Sequence, residues 1–433
     1  MNSSLLVVVV EQDKPGFKKK FLGLSLLGRT LNELALAGRK EITVVSEVDP
    51  AAVRGLLGAE LLPSLQVRYV DASPEKSAFQ KALALGQEAC KNLIVLPADR
   101  VLSKNFIRAL LEAPHVEAEV ATMVPEEQDA SRDRQVVRLA DSWLALAGPD
   151  LPGRSEVERI ARPVRVSGWY AEVEPKSREQ AVRKKLLQGL RKPVEIDGII
   201  CYYLMRPVTL RLTGVLADTF VLPNHVTFLT LLLGLVGVFL VGLGEEGSAL
   251  VGAGLYFMAC YLDCLDGELA RIKYKMSYLG AWLDTWSDDV QTFFFIGALG
   301  LYLAKVEQSS AMLAVSVFTM TVYALTQGYI YHQLHTVYHT GDLVTFRFAW
   351  EKDSKTAAAG GLSWLKYFFK RDFFTLLFFV LFLVKLPTVT LILLFLSCTG
   401  LFVATMVHAY LTLHPTADPS PTHPSIPFLG GKP

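Results

Sequence analysis

Between Asp263 and Asp289 an otherwise apolar stretch carries six acids: Asp263, Asp266, Glu268, Asp284, Asp288 and Asp289. Asp263, Asp266, Gly267, Ala270 and Arg271 stand at i, i+3, i+4, i+7 and i+8, which is one face of a helix. Gly280, Asp284 and Asp288 stand at i, i+4 and i+8 on the next. A short turn between the two helices lets these faces meet. An ionised carboxylate at bilayer depth costs about 2.5–3.5 kcal/mol even on a lenient scale, so four of them require a partner. A cluster of hard oxygens suits Mg²⁺, Mn²⁺ or Ca²⁺ and not zinc. Gly267, Ala270 and Gly280 leave room for a bulky group against the backbone, and Arg271 offers a cation to a phosphate. The competing chemistry is an ion or proton pathway, which intramembrane acids also mark. Glu268 and Asp289 fall outside the pattern and receive no role.

Two other groups are candidates. His332, His335 and His339 stand at i, i+3 and i+7, as ligands for metal or phosphate or as interfacial polar packing. Lys366, Lys370 and Arg371 are candidate phosphate ligands, for a phosphorylated acceptor or an anionic lipid; simple positive-inside residues are the other reading. Cys90, Cys201, Cys260, Cys264 and Cys398 show neither a disulfide framework nor zinc spacing, and read as small reduced core residues.

The elements that must hold these residues follow from composition. Hydrophobic residues make up 51% and charged residues 20% of 433, too apolar for a soluble globule and too charged for a wholly membrane chain. Lys plus Arg number 43 and Asp plus Glu 42, so no charge excess points to nucleic acid. Six spans of membrane length are expected near 223–243, 248–272, 278–304, 311–332, 373–386 and 388–411. Lys and Arg follow spans two and four, which predicts cytoplasmic termini and puts the acids at the cytoplasmic side. Residues 195–217 read as a juxtamembrane helix along the interface, 218–412 as the membrane domain, and 413–433 as a disordered tail.

Residues 1–190 alternate strand-like and helix-like stretches. Leu5–Val10, Glu41–Ser46, Leu65–Tyr69 and Asn92–Pro97 read as strands, and 22–37, 76–89 and 104–113 as helices. Such alternation implies an α/β fold with a mainly parallel sheet. The start of the chain does not read as a signal peptide.

The pattern D-x2-D-G-x2-A-R-x8-G-x3-D-x3-D from Asp263 to Asp288, with Pro223-Asn224-His225-Val226-Thr227 ahead of it, resembles the CDP-alcohol phosphotransferase superfamily over about residues 195–412. The resemblance implies six transmembrane helices, usually paired as a homodimer, in an integral membrane protein, here of a prokaryotic plasma membrane. It implies a reaction in which an acceptor hydroxyl displaces CMP from a CDP-linked donor. Asp263, Asp266, Asp284 and Asp288 would then hold Mg²⁺ or Mn²⁺, Asp288 would be the catalytic base, and Gly267, Ala270, Arg271 and Gly280 would surround the CDP. The acceptor would be an inositol phosphate or a lipid alcohol, among membrane lipids.

Phe17 to Glu47, ending its helix in Ala37-Gly38, resembles sugar-phosphate nucleotidyltransferases, although residues 10–16, VEQDKPG, lack the Gly-rich loop that would wrap a triphosphate. Asp99 is either a metal-binding acid of that family or a cap in a β–α loop. The fusion resembles bifunctional inositol-1-phosphate cytidylyltransferase and di-myo-inositol phosphate phosphate synthase. The missing loop predicts a soluble domain that has lost catalysis. An intact bifunctional enzyme, or a soluble module that only delivers substrate or scaffolds, are the alternatives.

Overall fold

The computed structural model describes residues 4–12, 14–58, 60–72, 76–112, 120–126, 136–147, 151–173, 176–349 and 370–413. It divides into two compact units, Met1–Gly189 and Leu190–Gly430. Ala113 and the tail from residue 414 lie outside the described residues.

The first unit is built on a seven-stranded sheet. Its strands are β1 (Leu5–Val10), β2 (Glu41–Ser46), β3 (Gln66–Asp71), β4 (Leu93–Pro97), β5 (Val120–Pro125), β6 (Val137–Leu139) and β7 (Arg162–Val166), in the order β7-β5-β6-β4-β1-β2-β3. The β1 run LLVVVV has no polar alternation because both its faces are covered, as a central parallel strand requires. It pairs in parallel with β2 and β4, while β6 runs against both of its neighbours. Helices α1 (Leu26–Leu36), α2 (Pro50–Leu57), α3 (Ala78–Ala89) and α4 (Lys104–Glu112) cover the sheet. Their starts are set by side chains: Ser25 accepts from Gly28 N–H, and Ser77 with Gln80 forms a reciprocal cap.

The second unit is helical. After the short helix Val194–Asp197 comes α5 (Arg206–Ala217), then α6 (Pro223–Gly242), α7 (Glu246–Ile272), α8 (Tyr278–Val306), α9 (Ser310–Gln333), α10 (Arg371–Leu383) and α11 (Pro387–Leu413). Among the described residues five helices are long and apolar enough to cross a membrane: α6, α7, α8, α11, and α9 with its π-helical extension to Tyr338. The count of six is therefore not confirmed among the described residues. The expected fifth span is α10, 13 residues long, which rise only about 20 Å. The expected continuous helix over 195–217 is also broken. Gly198 has φ 88° and a π-helical turn occupies Cys201–Met205 before α5 begins. In α5, Arg206, Thr209 and Thr213 are buried while Val208, Leu212 and Val215 are exposed. Polar inside and apolar outside is the inverse of a soluble helix and suits an apolar surround. Helices α6 and α7 approach closely because Gly237 faces Gly252; a Cβ on Gly237 would fall 2.6 Å from the Gly252 carbonyl oxygen.

Candidate active site

Asp263 and Asp266 lie on the C-terminal half of α7, and Asp284 and Asp288 on the first turns of α8. Ser277 sets the phase of α8 by accepting from Gly280 N–H at 2.9 Å. Carboxylate oxygens of Asp263, Asp284 and Asp288 all come within 4.8 Å of one another. Asp263 Oδ1 and Asp288 Oδ1 are buried with no hydrogen-bond partner. Orphaned buried carboxylate oxygens gathered from two helices fit a hard divalent cation such as Mg²⁺ or Mn²⁺. Asp266 stands apart from this trio. Its Oδ2 accepts from Thr227 Oγ1 at 2.6 Å, and its Oδ1 accepts from the Gly267 N–H.

Arg271 stands over Gly267: a Cβ there would lie 3.2 Å from Arg271 Nη1. Arg271 Nε and Nη2 are buried donors without a partner. Gly280 lies beside the head of α6, where a Cβ would stand 3.6 Å from Asn224 Oδ1. Ala270, half-buried, adjoins Arg271. Gly267, Ala270 and Arg271 therefore line one face of α7 together with Asp263 and Asp266.

The basic group before α10 separates. Arg371 opens the helix, its Nη1 on Asp288 Oδ2 and 3.7 Å from Asp263 Oδ2. Lys370 Nζ reaches the Ile196 carbonyl at 3.3 Å, and Lys366 lies outside the described residues. His332, His335 and His339 are exposed and join no metal-ligand grouping among the described residues; His335 Nδ1 meets Tyr278 OH at 3.3 Å.

Spacing alone missed several residues. Asp289 accepts from Tyr323 OH at 2.6 Å and from Tyr331 OH, tying α8 to α9 next to Asp288. Glu268 is fully buried and bonded to α5. Asp372 accepts from the Cys201 N–H at 2.7 Å. An acid inside an apolar helix calls for donors on another element or for a cation, and the polar stripe Arg206, Thr209, Thr213 was the available signal for Glu268.

In the first unit the segment after β1 forms a 3₁₀ turn, Pro15–Lys18. Gln12 N–H donates to Glu47 Oε2 at 2.9 Å, and Glu47 Oε1 accepts from Ala78 N–H at 2.8 Å. Asp99 is followed by the short strand Arg100–Leu102, so it is not a cap in a β–α loop; Ser103 caps α4, accepting from Phe106 N–H at 3.2 Å. A polar cavity of about 450 Å³ is lined by Glu11, Glu47, Ser77, Phe79 and Arg154. Glu11 pairs with Arg154 and, at 2.5 Å, with Lys14. Burial pushes the Glu11 carboxyl up, but the two cations together hold it below the usual glutamate value.

Comparison with known proteins bears on both units. Residues 220–413 match the family CDP-alcohol phosphatidyltransferase. The chain is 26% identical over 332 residues to a bifunctional IPC transferase and DIPP synthase of Aquifex aeolicus, covering 67% of this chain and 73% of that protein. A protein of the same name from Thermococcus kodakarensis is 32% identical over 120 residues, 27% of this chain and 26% of its own. Among solved structures, the inositol-1-phosphate CTP transferase from T. maritima is similar at 10% identity and TM-score 0.32, over 41% of this chain and 92% of that one. A UDP-glucose pyrophosphorylase from Acinetobacter baumanii is similar at 11% identity and TM-score 0.33, over 44% and 100%. With the acids, the glycines and the arginine of the motif on two adjoining helices inside the matched residues, residues 220–413 of this chain form a CDP-alcohol phosphatidyltransferase domain.

Proposed function

We propose that this domain transfers the phosphoalcohol of a polar CDP-alcohol, of the CDP-inositol type, to an acceptor hydroxyl and releases CMP. The observation that carries the reading is the trio Asp263, Asp284 and Asp288, converging within 4.8 Å with buried oxygens left unbonded. The acceptor oxygen attacks the phosphorus bearing the alcohol, the pyrophosphate P–O bond breaks, and CMP leaves with the bridging oxygen. Asp288 takes the acceptor's proton; its Oδ1 has no competing donor, while Oδ2 is held by Arg371. Arg271 directs its two unpaired donors to the phosphates, over a backbone that Gly267 leaves open. A divalent cation would be held by Asp263, Asp284 and Asp288, with Asp266 on the same face of α7, and would supply charge that favours departure of CMP. The names of the relatives favour an inositol-phosphate product over a phospholipid.

The first unit does not, on this reading, make the donor. The Gln12 N–H, which a phosphate-wrapping loop would present, is taken by Glu47 within the protein. Lys and Arg placement supports a cytoplasmic site in a prokaryotic plasma membrane, and the family resemblance supports a homodimer. Membranes given labelled CDP-inositol or labelled CDP-diacylglycerol, each with candidate acceptors, test the substrate. Water-soluble phosphodiester and CMP from CDP-inositol are expected. Turnover of CDP-diacylglycerol alone would remove the polar-donor reading.

A further inference from the structure

Glu268 belongs to the motif helix but not to the motif. It follows Gly267 directly, yet at about 100° per residue it points about 200° away from Asp266. Its Oε1 accepts from Arg206 Nη1 at 2.6 Å and from Thr209 Oγ1 at 2.8 Å, and its Oε2 from Thr213 Oγ1 at 2.5 Å. Arg206, Thr209 and Thr213 stand at i, i+3 and i+7, so all three donors come from one stripe of α5. Arg206 commits its other nitrogens to Asp197, Nε to Oδ2 at 2.7 Å and Nη2 to Oδ1 at 2.9 Å, fork against fork. The side chains of Asp197, Arg206 and Glu268 are 6%, 4% and 0% exposed.

Apolar residues of similar volume would pack this seam as well. What the ionic chain adds is geometry. Turning α7 by one residue breaks all three bonds to Glu268 together, and it would swing Asp263 and Asp266 away from α8. The same segment holds the other flank of the site. Cys201 N–H donates to Asp372, and Gly198 leaves space for that carboxylate: a Cβ there would fall 2.8 Å from Asp372 Oδ1. Asp372 is the neighbour of Arg371, which sits on Asp288.

We propose that the juxtamembrane segment 197–213 is the positioning element of the metal site, and that Glu268, through Arg206 to Asp197, sets the rotational phase of the α7 half that carries Asp263 and Asp266. The proposal rests on reading Asp263, Asp284 and Asp288 as metal ligands. Glu268 is a positioning residue: it touches no ligand of the reaction.

The test is Mn²⁺ binding to the purified full-length chain, followed by loss of the free-ion electron paramagnetic resonance signal, with thermal unfolding in EDTA as the check on folding. Asp263→Asn is expected to lose binding outright. Glu268→Ala, while folded, is expected to weaken Mn²⁺ binding about tenfold or more, the range seen when outer-shell partners are removed. Glu268→Gln keeps the shape and should lie closer to the unaltered protein. A residue that only stabilised the fold would lower the unfolding temperature and leave the affinity of the folded protein unchanged. That result in Glu268→Ala overturns the proposal and leaves the metal reading standing. Should Glu268→Ala not fold, Thr213→Val and Arg206→Lys decide: weakened binding in either supports the proposal, and unchanged binding in both overturns it. Absence of Mn²⁺ binding to the unaltered chain would defeat the metal reading and this proposal with it.

Discussion

Replacing Asp284 by Asn removes one charge from the trio and keeps its shape. The three carboxylates approach within 4.8 Å pairwise. At an effective dielectric of about 20, two unit charges at that separation repel by roughly 3.5 kcal/mol. With all three ionised, Asp284 belongs to two of the three pairs, so its neutralisation relieves at most about 7 kcal/mol. Arg371 already offsets part of this, since its guanidinium sits on Asp288 and near Asp263. A net gain of about 2–3 kcal/mol in the absence of metal is the expectation, which at about 2–4 °C per kcal/mol raises the unfolding midpoint by roughly 5–10 °C. Millimolar Mg²⁺ should do the reverse of what the mutation does: stabilise the unaltered protein, by about 2.7 kcal/mol at a hundredfold excess over Kd, and leave Asp284→Asn nearly unmoved. The assay is thermal unfolding of the purified chain in EDTA and in Mg²⁺. Should Asp284→Asn melt below the unaltered protein in EDTA, or keep its full response to Mg²⁺, the trio is not a cation trap.

Other outcomes are expected on the same grounds. Asp288→Asn should lower CMP release by at least about a hundredfold, the usual contribution of a positioned base, measured as turnover in membranes with saturating donor. The full-length chain given CTP and inositol-1-phosphate should release no pyrophosphate, because Glu47 occupies the Gln12 N–H; release would restore an active first unit. The Glu11 carboxyl, lowered by Arg154 and Lys14 against the upward push of burial, contributes stability above its unfolded-state pKa and loses it as pH falls through the lower folded value. Glu11→Gln should therefore be less stable than the unaltered chain at neutral pH in urea titrations, with the two converging in acid; a constant difference at every pH would contradict the ion pair.

How much of this was legible depended on whether the partner of a residue is local. The Leu-Val run of β1 and the cap at Ser77 are satisfied within or next to their own elements, and a short unbroken apolar run marked the strand as the local pattern marked the helix. The i, i+4, i+8 spacing of Gly280, Asp284 and Asp288 likewise needs only one helix. Asp289, Glu268 and Asp372 were opaque because their donors, Tyr323 and Tyr331, Arg206, and the Cys201 N–H, sit on elements that no spacing rule connects to them. Arg371 was read toward an acceptor phosphate because a basic run before a span suggests one; its pairing with Asp288 depends on where α10 begins. The break at Gly198 was missed because a lone glycine in an apolar run is permitted in a helix at modest cost.

Helix α10 has a further consequence. Its 13 residues rise about 20 Å, about 10 Å less than the hydrocarbon thickness of a bilayer. Just beyond its far end Lys385 pairs with Glu246 at 2.6 Å, both exposed, as befits a headgroup region. A helix moored there runs out before the opposite surface, and the residue at which it runs out is Arg371. Hydrophobic mismatch of this size is relieved by a thinner bilayer or by water reaching down to the helix start. On either arrangement the acids of α7 and α8 would stand beneath an aqueous dimple, and a charged substrate would reach them without entering hydrocarbon. The shortness of one helix would then set the depth at which a charged substrate and an apolar membrane share a boundary.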